Sequence, residues 1–283
     1  KSKSGALIFQ VFRAIEEASP DLLFLENVKG LVTIDKGETF KEILRTLNTL
    51  GYLVDFIQIN SALLSAQNRE RVYIVGRKID KTKQEKEGVV FNLSTGNIKE
   101  KLRGKYSTKQ DIDYGLHGTD ANSILLYKSG ICQPEDREIE IDEIIEIRET
   151  YCFGHHYVGG AMRGRYLIDG KRQDGKGSVA KKTKQYIELR SDKKTNCLTT
   201  VGKDNQLIYT DSIKKRHELS ELSYRLLTPL ECERLQTLPE GYTDAFFNSK
   251  KISNSRRCQV IGNGWTIDVV SFIINKITSN VSL

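Results

Sequence analysis

Apolar residues recur at helical spacing from Gly5 to Ala18, where Leu7, Ile8, Val11, Phe12 and Ile15 share one face and Pro20 follows the end of the pattern. The run Asp21 to Glu26 is continuously apolar between its charged ends and predicts a buried strand. A second helix is predicted over 39–50 from Phe40, Ile43, Leu44, Leu47 and Leu50, with Gly51 placed to stop it. Residues 52–59 and 71–76 predict two further strands. This alternation predicts right-handed crossovers and a mostly parallel sheet covered on both faces, in which ligands gather beyond the carboxyl ends of the strands. Glu26 lies at such an end.

After Lys78 the periodicity weakens. The charged stretch Lys81 to Glu87 opens a polar region with scattered glycine, read as an inserted small domain of short strands and loops. Within it, 159–165 and 171–184 are basic and glycine-rich; flexible cationic loops of this kind can follow a phosphate backbone, and a solvated surface loop is the equal alternative. Order returns at Leu226: Thr228 can cap a helix that starts at Pro229, with Glu231 at the capping-box position and Cys232, Leu235 and Leu238 on its inner face. The turn Gly262-Asn263-Gly264 leads into a final helix through Ile267, Val270, Ile273, Ile274 and Ile277, and can bring backbone N–H groups close to a ligand. The expected division is 1–79, 80–222 and 223–283.

With 283 residues the chain can bury a substantial core. Its 44 Lys and Arg against 37 Asp and Glu permit a polyanionic partner without requiring one. The five cysteines are odd in number, widely spaced and without a C-x-x-C pair, which argues against a disulfide scaffold or zinc finger and for a reducing cytoplasm. The adjacent His155 and His156 lack metal-ligand spacing, so no metal is expected. No apolar run is long enough to span a membrane.

Four segments, in order, resemble motifs of the DNA (cytosine-5) methyltransferases. Glu26-Asn27-Val28 matches the family's ENV motif, and Gln67-x-Arg69-x-Arg71 with the strand after it matches Q-x-R-x-R. Residues 225–239 resemble the block that follows the target-recognition domain, and Gly262-Asn263-Gly264-Trp265 resembles the last motif. The resemblance implies an α/β fold: an incomplete Rossmann-like, S-adenosylmethionine-dependent methyltransferase core, with 80–222 as an inserted, mostly β and loop target-recognition domain. The family's glycine-containing cofactor motif and its nucleophilic Pro-Cys-Gln loop are expected before Lys1, in a missing segment or a complementary subunit, since none of the five cysteines stands in that context. This chain alone is accordingly expected to be inactive.

The family reaction adds a cysteine thiolate to C6 of cytosine, so that C5 can attack the methyl group. By the resemblance Glu26 holds or delivers a proton at N3, a role suited to a carboxyl at a dry strand end. Arg71 donates to O2, and Arg69 positions the loop or a phosphate. Scaffold ion pairs are the alternative for all three, most seriously for Arg69, and Gln67 supports the turn. Asn263, Gly264, Trp265 and Leu7 are the expected cofactor contacts, with Trp265 equally readable as core. Thr199, Thr200 and Lys203 are expected to face double-stranded DNA, joined by Arg163, Arg165 and Lys182 as phosphate contacts. The target base must be flipped out of the duplex. A non-catalytic DNA-binding subunit and an RNA methyltransferase are the competing readings. The expected location is the cytoplasm, with the nucleoid or nucleus as the site of action.

Overall fold

The computed structural model describes residues 7–79, 89–93, 97–104, 123–127, 129–146, 157–165, 167–168, 171–172, 184–200, 202–210 and 216–279. The chain divides into two compact units, one made of Lys1–Ile59, Glu70–Gln133 and Ile273–Leu283, the other of Asn60–Arg69 and Pro134–Phe272.

The first unit carries α1 (Leu7–Ala18), β1 (Leu22–Val28), α2 (Glu38–Thr49), β2 (Tyr52–Asn60), β3 (Glu70–Lys78), β4 (Val89–Asn92), α3 (Ile98–Leu102) and β5 (Ser123–Leu126). Its five-stranded sheet runs β1-β3-β2-β5-β4. Here the expectation of a mostly parallel sheet is corrected: β1 pairs with β3 and β4 with β5 antiparallel, while β2 and β5 are parallel. The connection 61–69 between β2 and β3 is too short for a crossover helix, so β3 cannot enter the sheet as a βαβ unit. It lies between β1 and β2 instead.

Helix α2 ends where Gly51, at φ 89°, takes the left-handed conformation that favours glycine. Asn48 in its last turn donates to the carbonyls of Tyr52 (2.7 Å) and Leu125 (3.1 Å) and accepts from Leu125 N–H (2.6 Å), tying the helix to two strands. Beneath it Leu44, Leu47, Val54, Phe56, Val72 and Ile124 are fully buried, with Phe40 set edge-on to Phe56 at 5.2 Å. Burial of this apolar face, at roughly 1.5–3 kcal/mol per large side chain, is what holds α2 on the sheet.

The second unit carries β6 (Tyr157–Arg165), β7 (Leu167–Ile168), β8 (Lys171–Arg172), β9 (Lys184–Leu189), β10 (Gln206–Tyr209), β11 (Arg216–Glu218), β12 (Ser223–Leu226), α4 (Pro229–Leu235), β13 (Phe246–Phe247), β14 (Lys250–Lys251), α5 (Asn254–Asn263) and the start of α6 (Ile267–Ser279), whose residues from Ile273 onward belong to the first unit. Its main sheet has the order β11-β9-β6-β10-β12 with antiparallel pairing throughout. Residues 159–165, read from sequence as a flexible basic loop, are therefore the central strand. The glycines serve close approach: a Cβ on Gly159 would stand 2.4 Å from the Lys194 carbonyl, and one on Gly160 2.8 Å from that of Glu188. Among the described residues no helix is long and apolar enough to cross a membrane.

Candidate active site

In the antiparallel register Glu26 faces Tyr73 and Val28 faces Arg71, so Glu26 and Arg71 are diagonal neighbours on one face of the first sheet. They meet there. Arg71 Nε donates to Glu26 Oε1 at 2.9 Å, and the two side chains are only 14% and 17% exposed. Arg71 Nη1 also donates to the Glu70 carbonyl at 2.9 Å, and Lys29 pairs with the Glu70 side chain, so the edge where β1 ends and β3 begins is laced with charge. Phe24, two residues before Glu26 on the same face, stacks obliquely on Tyr73 at 5.8 Å. A half-buried carboxylate and guanidinium beside an aromatic wall offer both a donor and an acceptor to the polar edge of a planar ring.

Arg69, two residues from Arg71, sits in the second unit and is 4% exposed. Its guanidinium donates to the carbonyls of Leu198 (3.3 Å), Gly262 (3.3 Å) and Gly264 (2.8 Å) and to Cys197 Sγ (3.4 Å). It thus braces the segment 197–198 against the Gly262-Asn263-Gly264 turn. Gln67, fully buried, works beside it: its amide donates to the Leu235 carbonyl (3.1 Å) and to Gln236 Oε1 (3.3 Å), and accepts from Leu198 N–H (2.8 Å). Gln236 continues the network, donating to the carbonyls of Ile261 (3.0 Å) and Gly264 (3.3 Å) and accepting from the Thr266 hydroxyl (2.7 Å), which also meets Ser61 Oγ at 2.9 Å. Sequence reasoning missed Gln236, although it stands inside the matched block 225–239; a polar residue directly after the last apolar position of a short helix was the available signal.

The same block is built on a buried carboxylate. Thr228 and Glu231 form the expected capping box, with Glu231 N–H donating to Thr228 Oγ1 (3.2 Å) and Thr228 N–H to Glu231 Oε2 (2.8 Å). Fully buried Glu231 also takes both terminal nitrogens of Arg225, at 2.6 and 2.8 Å. Glu233, equally buried, accepts from the N–H groups of Gly241 (2.7 Å) and Thr243 (2.8 Å), from the Thr243 hydroxyl, and from Arg257 (3.0 Å). Burial raises its pKa, but these bonds outweigh that and hold it below the usual carboxylate value.

The Gly262-Asn263-Gly264 turn falls at the end of α5, and α6 begins at Ile267. A Cβ on Gly262 would stand 2.8 Å from the Thr199 carbonyl, so only glycine allows this approach. Asn263 is exposed, Gly264 half-buried and Trp265 46% exposed, which leaves an amide and an indole face presented by a turn braced from behind. Leu7 is exposed at the start of α1.

Thr199, Thr200 and Lys203 lie together and exposed on 199–204. Asp204 organises this segment, accepting from Thr199 Oγ1 (3.0 Å) and from Arg163 Nη1 (2.5 Å), so Arg163 of β6 is drawn to the same place. Arg165 ends β6, and Lys182 lies outside the described residues, as do His155 and His156. Thr199 and Thr200 also line a cavity of about 630 Å³ in the second unit, with Thr228, Lys251, Asn254 and Gln259 around it.

A family model for C-5 cytosine-specific DNA methylases matches residues 1–279. Similar curated proteins include the type II methyltransferase M.BanI of Aneurinibacillus aneurinilyticus, 28% identical over 328 residues that cover 98% of this chain and 75% of that protein. Another is the orphan methyltransferase M.SPBetaI of Bacillus phage SPbeta, 27% identical over 322 residues, 98% of this chain and 70% of its own. Among solved structures, S. pombe Dnmt2 methyltransferase aligns with 97% of this chain and 73% of its own at a TM-score of 0.48 and 16% identity. The match to the family model runs over nearly the whole sequence, and the chain belongs to the C-5 cytosine-specific DNA methylase family.

Proposed function

We propose that this protein methylates carbon 5 of a cytosine flipped out of duplex DNA, with Glu26 and Arg71 as the groups of this chain that touch the base. The observation that carries the reading is the half-buried Glu26–Arg71 pair, on adjoining strands within one matched motif each. Bound against that edge, cytosine takes a hydrogen bond at O2 from Arg71, which counters the negative charge that enters the ring when a thiolate adds to C6. Glu26 holds the proton at N3 and steadies the same charge. A base stacked in the helix cannot reach these groups, hence the flip.

We assign the thiolate to a Pro-Cys-Gln loop in another stretch of the protein or in a complementary chain. Three of the described cysteines have other partners: Cys197 is a contact of Arg69, and Cys232 and Cys258 face each other at 3.8 Å.

S-adenosylmethionine, when bound, supplies an electrophilic methyl group on a sulfonium. The turn 262–265 fits its amino-acid end, since Asn263 offers both donor and acceptor and Trp265 an exposed ring face. By the same resemblance Leu7 belongs to the cofactor contacts. Arg69 acts as a positioning residue for this turn. DNA reading belongs to the stretch 80–222, with Thr199, Thr200 and Lys203 facing the duplex and Arg163, Arg165 and Lys182 toward phosphates. The setting is cytoplasmic.

The test is transfer of a radiolabelled methyl group from S-adenosylmethionine to duplex DNA by the complete enzyme. Glu26→Gln is expected to lower turnover by about 10²–10⁴-fold and Arg71→Ala by about 10²–10³-fold, with cofactor affinity retained. Ordinary turnover by both variants would refute the assignment.

A further inference from the structure

The segment between α4 and α5 has no role in the chemistry above, yet it presents an unusual surface. Phe246 and Phe247 of β13 are 69% and 71% exposed, in a hairpin whose opposite strand carries Lys250 and Lys251. The register sets Phe246 across from Lys251 and Phe247 across from Lys250, so each face of the hairpin bears one ring and one cation. The turn between them, Asn248-Ser249, has positive φ at both positions, 49° and 61°, as a two-residue hairpin of the primed type requires. Ile252 N–H closes the other end on the Ala245 carbonyl at 3.0 Å. The rings are therefore held outward by a defined turn.

Charge says what this surface would meet. Residues 241–257 contain four cations against one carboxylate, Asp244. Asp244 takes Lys251, and Arg257 is buried on Glu233, which leaves exposed Lys250 and Arg256 as the outward charges. Strand β14 leads directly into α5, whose N-terminus adds its own partial positive charge. Lys251 also lines the same cavity as Thr199 and Thr200, the residues assigned above to DNA.

We infer that the β13–β14 hairpin and the first turn of α5 form a second contact with duplex DNA, outside the stretch 80–222: the hairpin meets the duplex edge-on, Lys250 and Arg256 facing phosphates while Phe246 and Phe247, one on each of its faces, pack against the sugar edges on either side. The inference rests on the DNA reading of the protein and adds a surface to it. Basic side chains with interleaved aromatic rings suit a polyanion whose sugars and bases offer apolar faces, and the contact would hold the duplex without reading its sequence.

The experiment measures binding of a fluorescently labelled duplex by the full chain across about 50–200 mM salt, for wild type, Lys250→Gln/Arg256→Gln and Phe246→Ala/Phe247→Ala. All four side chains are exposed, so the variants are expected to melt with wild type. The cation variant should bind more weakly and with a salt slope shallower by about 2, one unit for each phosphate that is no longer neutralised. The aromatic variant should bind more weakly with its slope unchanged. Wild-type affinity and slope in both variants, while wild type binds DNA, would overturn the hairpin contact alone. A change in oligomeric mass on removing the rings, with DNA binding intact, would also overturn it and assign the face to a second copy. Wild type that binds no DNA overturns this inference together with the function on which it rests.

Discussion

Arg69→Met separates a brace from a catalytic group. Methionine fills a similar volume, so the main effect is on hydrogen bonds rather than packing. Three carbonyls are deprived of a cationic donor, those of Leu198, Gly262 and Gly264. A buried acceptor left unpaired costs about 1–3 kcal/mol, but Gly264 keeps the Gln236 amide at 3.3 Å and Leu198 the Cys197 thiol at 3.4 Å. The sum is therefore about 2–4 kcal/mol rather than three full penalties, a melting temperature lower by roughly 5–15 °C.

The released turn carries Asn263 and Trp265, and Trp265 is the single tryptophan of the chain, so its fluorescence during titration with S-adenosylhomocysteine reads the consequence directly. Weaker cofactor binding is expected, with turnover at saturating cofactor largely kept. A melting temperature within about 1 °C of wild type and unchanged affinity would refute the brace. Collapse of turnover with both preserved would show that Arg69 touches the substrate.

Gly262→Ala forces a Cβ to 2.8 Å from the Thr199 carbonyl and is expected to cost about 1–3 kcal/mol in thermal unfolding, whereas Gly30→Ala, with nothing within 4 Å and no positive φ, should be near neutral; equal melting of the two variants would contradict the close approach. Glu233 is held below its ordinary value of 4.5, so the stability it contributes is complete above about pH 4.5 and drains away as pH falls through the lower folded value. Glu233→Gln should flatten the acid side of a melting-temperature profile, and an unchanged profile would remove Glu233 from the account.

Where local chemistry decides the structure, the sequence was readable. The predicted helix over 39–50 is α2 at Glu38–Thr49, and Gly51 ends it as expected because only local backbone conformation is at stake. Thr228, Pro229 and Glu231 announce α4 for the same reason, every partner in the capping box lying within four residues. The sheet order was not readable, since whether β3 lies beside β1 depends on contacts about fifty residues apart. Helix α5 escaped notice because Asn254 to Gln259 is mostly polar and its inward residues, Arg257 and Ile261, do not make an apolar stripe.

In the site, the motifs named Glu26 and Arg71 as chemical groups, and their geometry adds that each holds the other. The resemblance already set Arg69 apart from Arg71 as a positioning group; the fold adds that Arg69 donates to backbone carbonyls and Arg71 to a carboxylate.

The buried amides and hydroxyls around Gln67 also constrain how the protein is made. Gln67 finds its partner at Leu235, 168 residues later, and Ser61 finds Thr266 after 205. At a synthesis rate of about 5–20 residues per second, segment 60–69 waits roughly 10–40 s on the ribosome before those partners exist. Until then it is a polar stretch that cannot be enclosed, so the second unit closes late and in one event, when the chain past Thr266 clears the exit tunnel. A nascent chain arrested with Thr266 still inside the tunnel should remain sensitive to protease within 60–69, and the chain released from the ribosome should not.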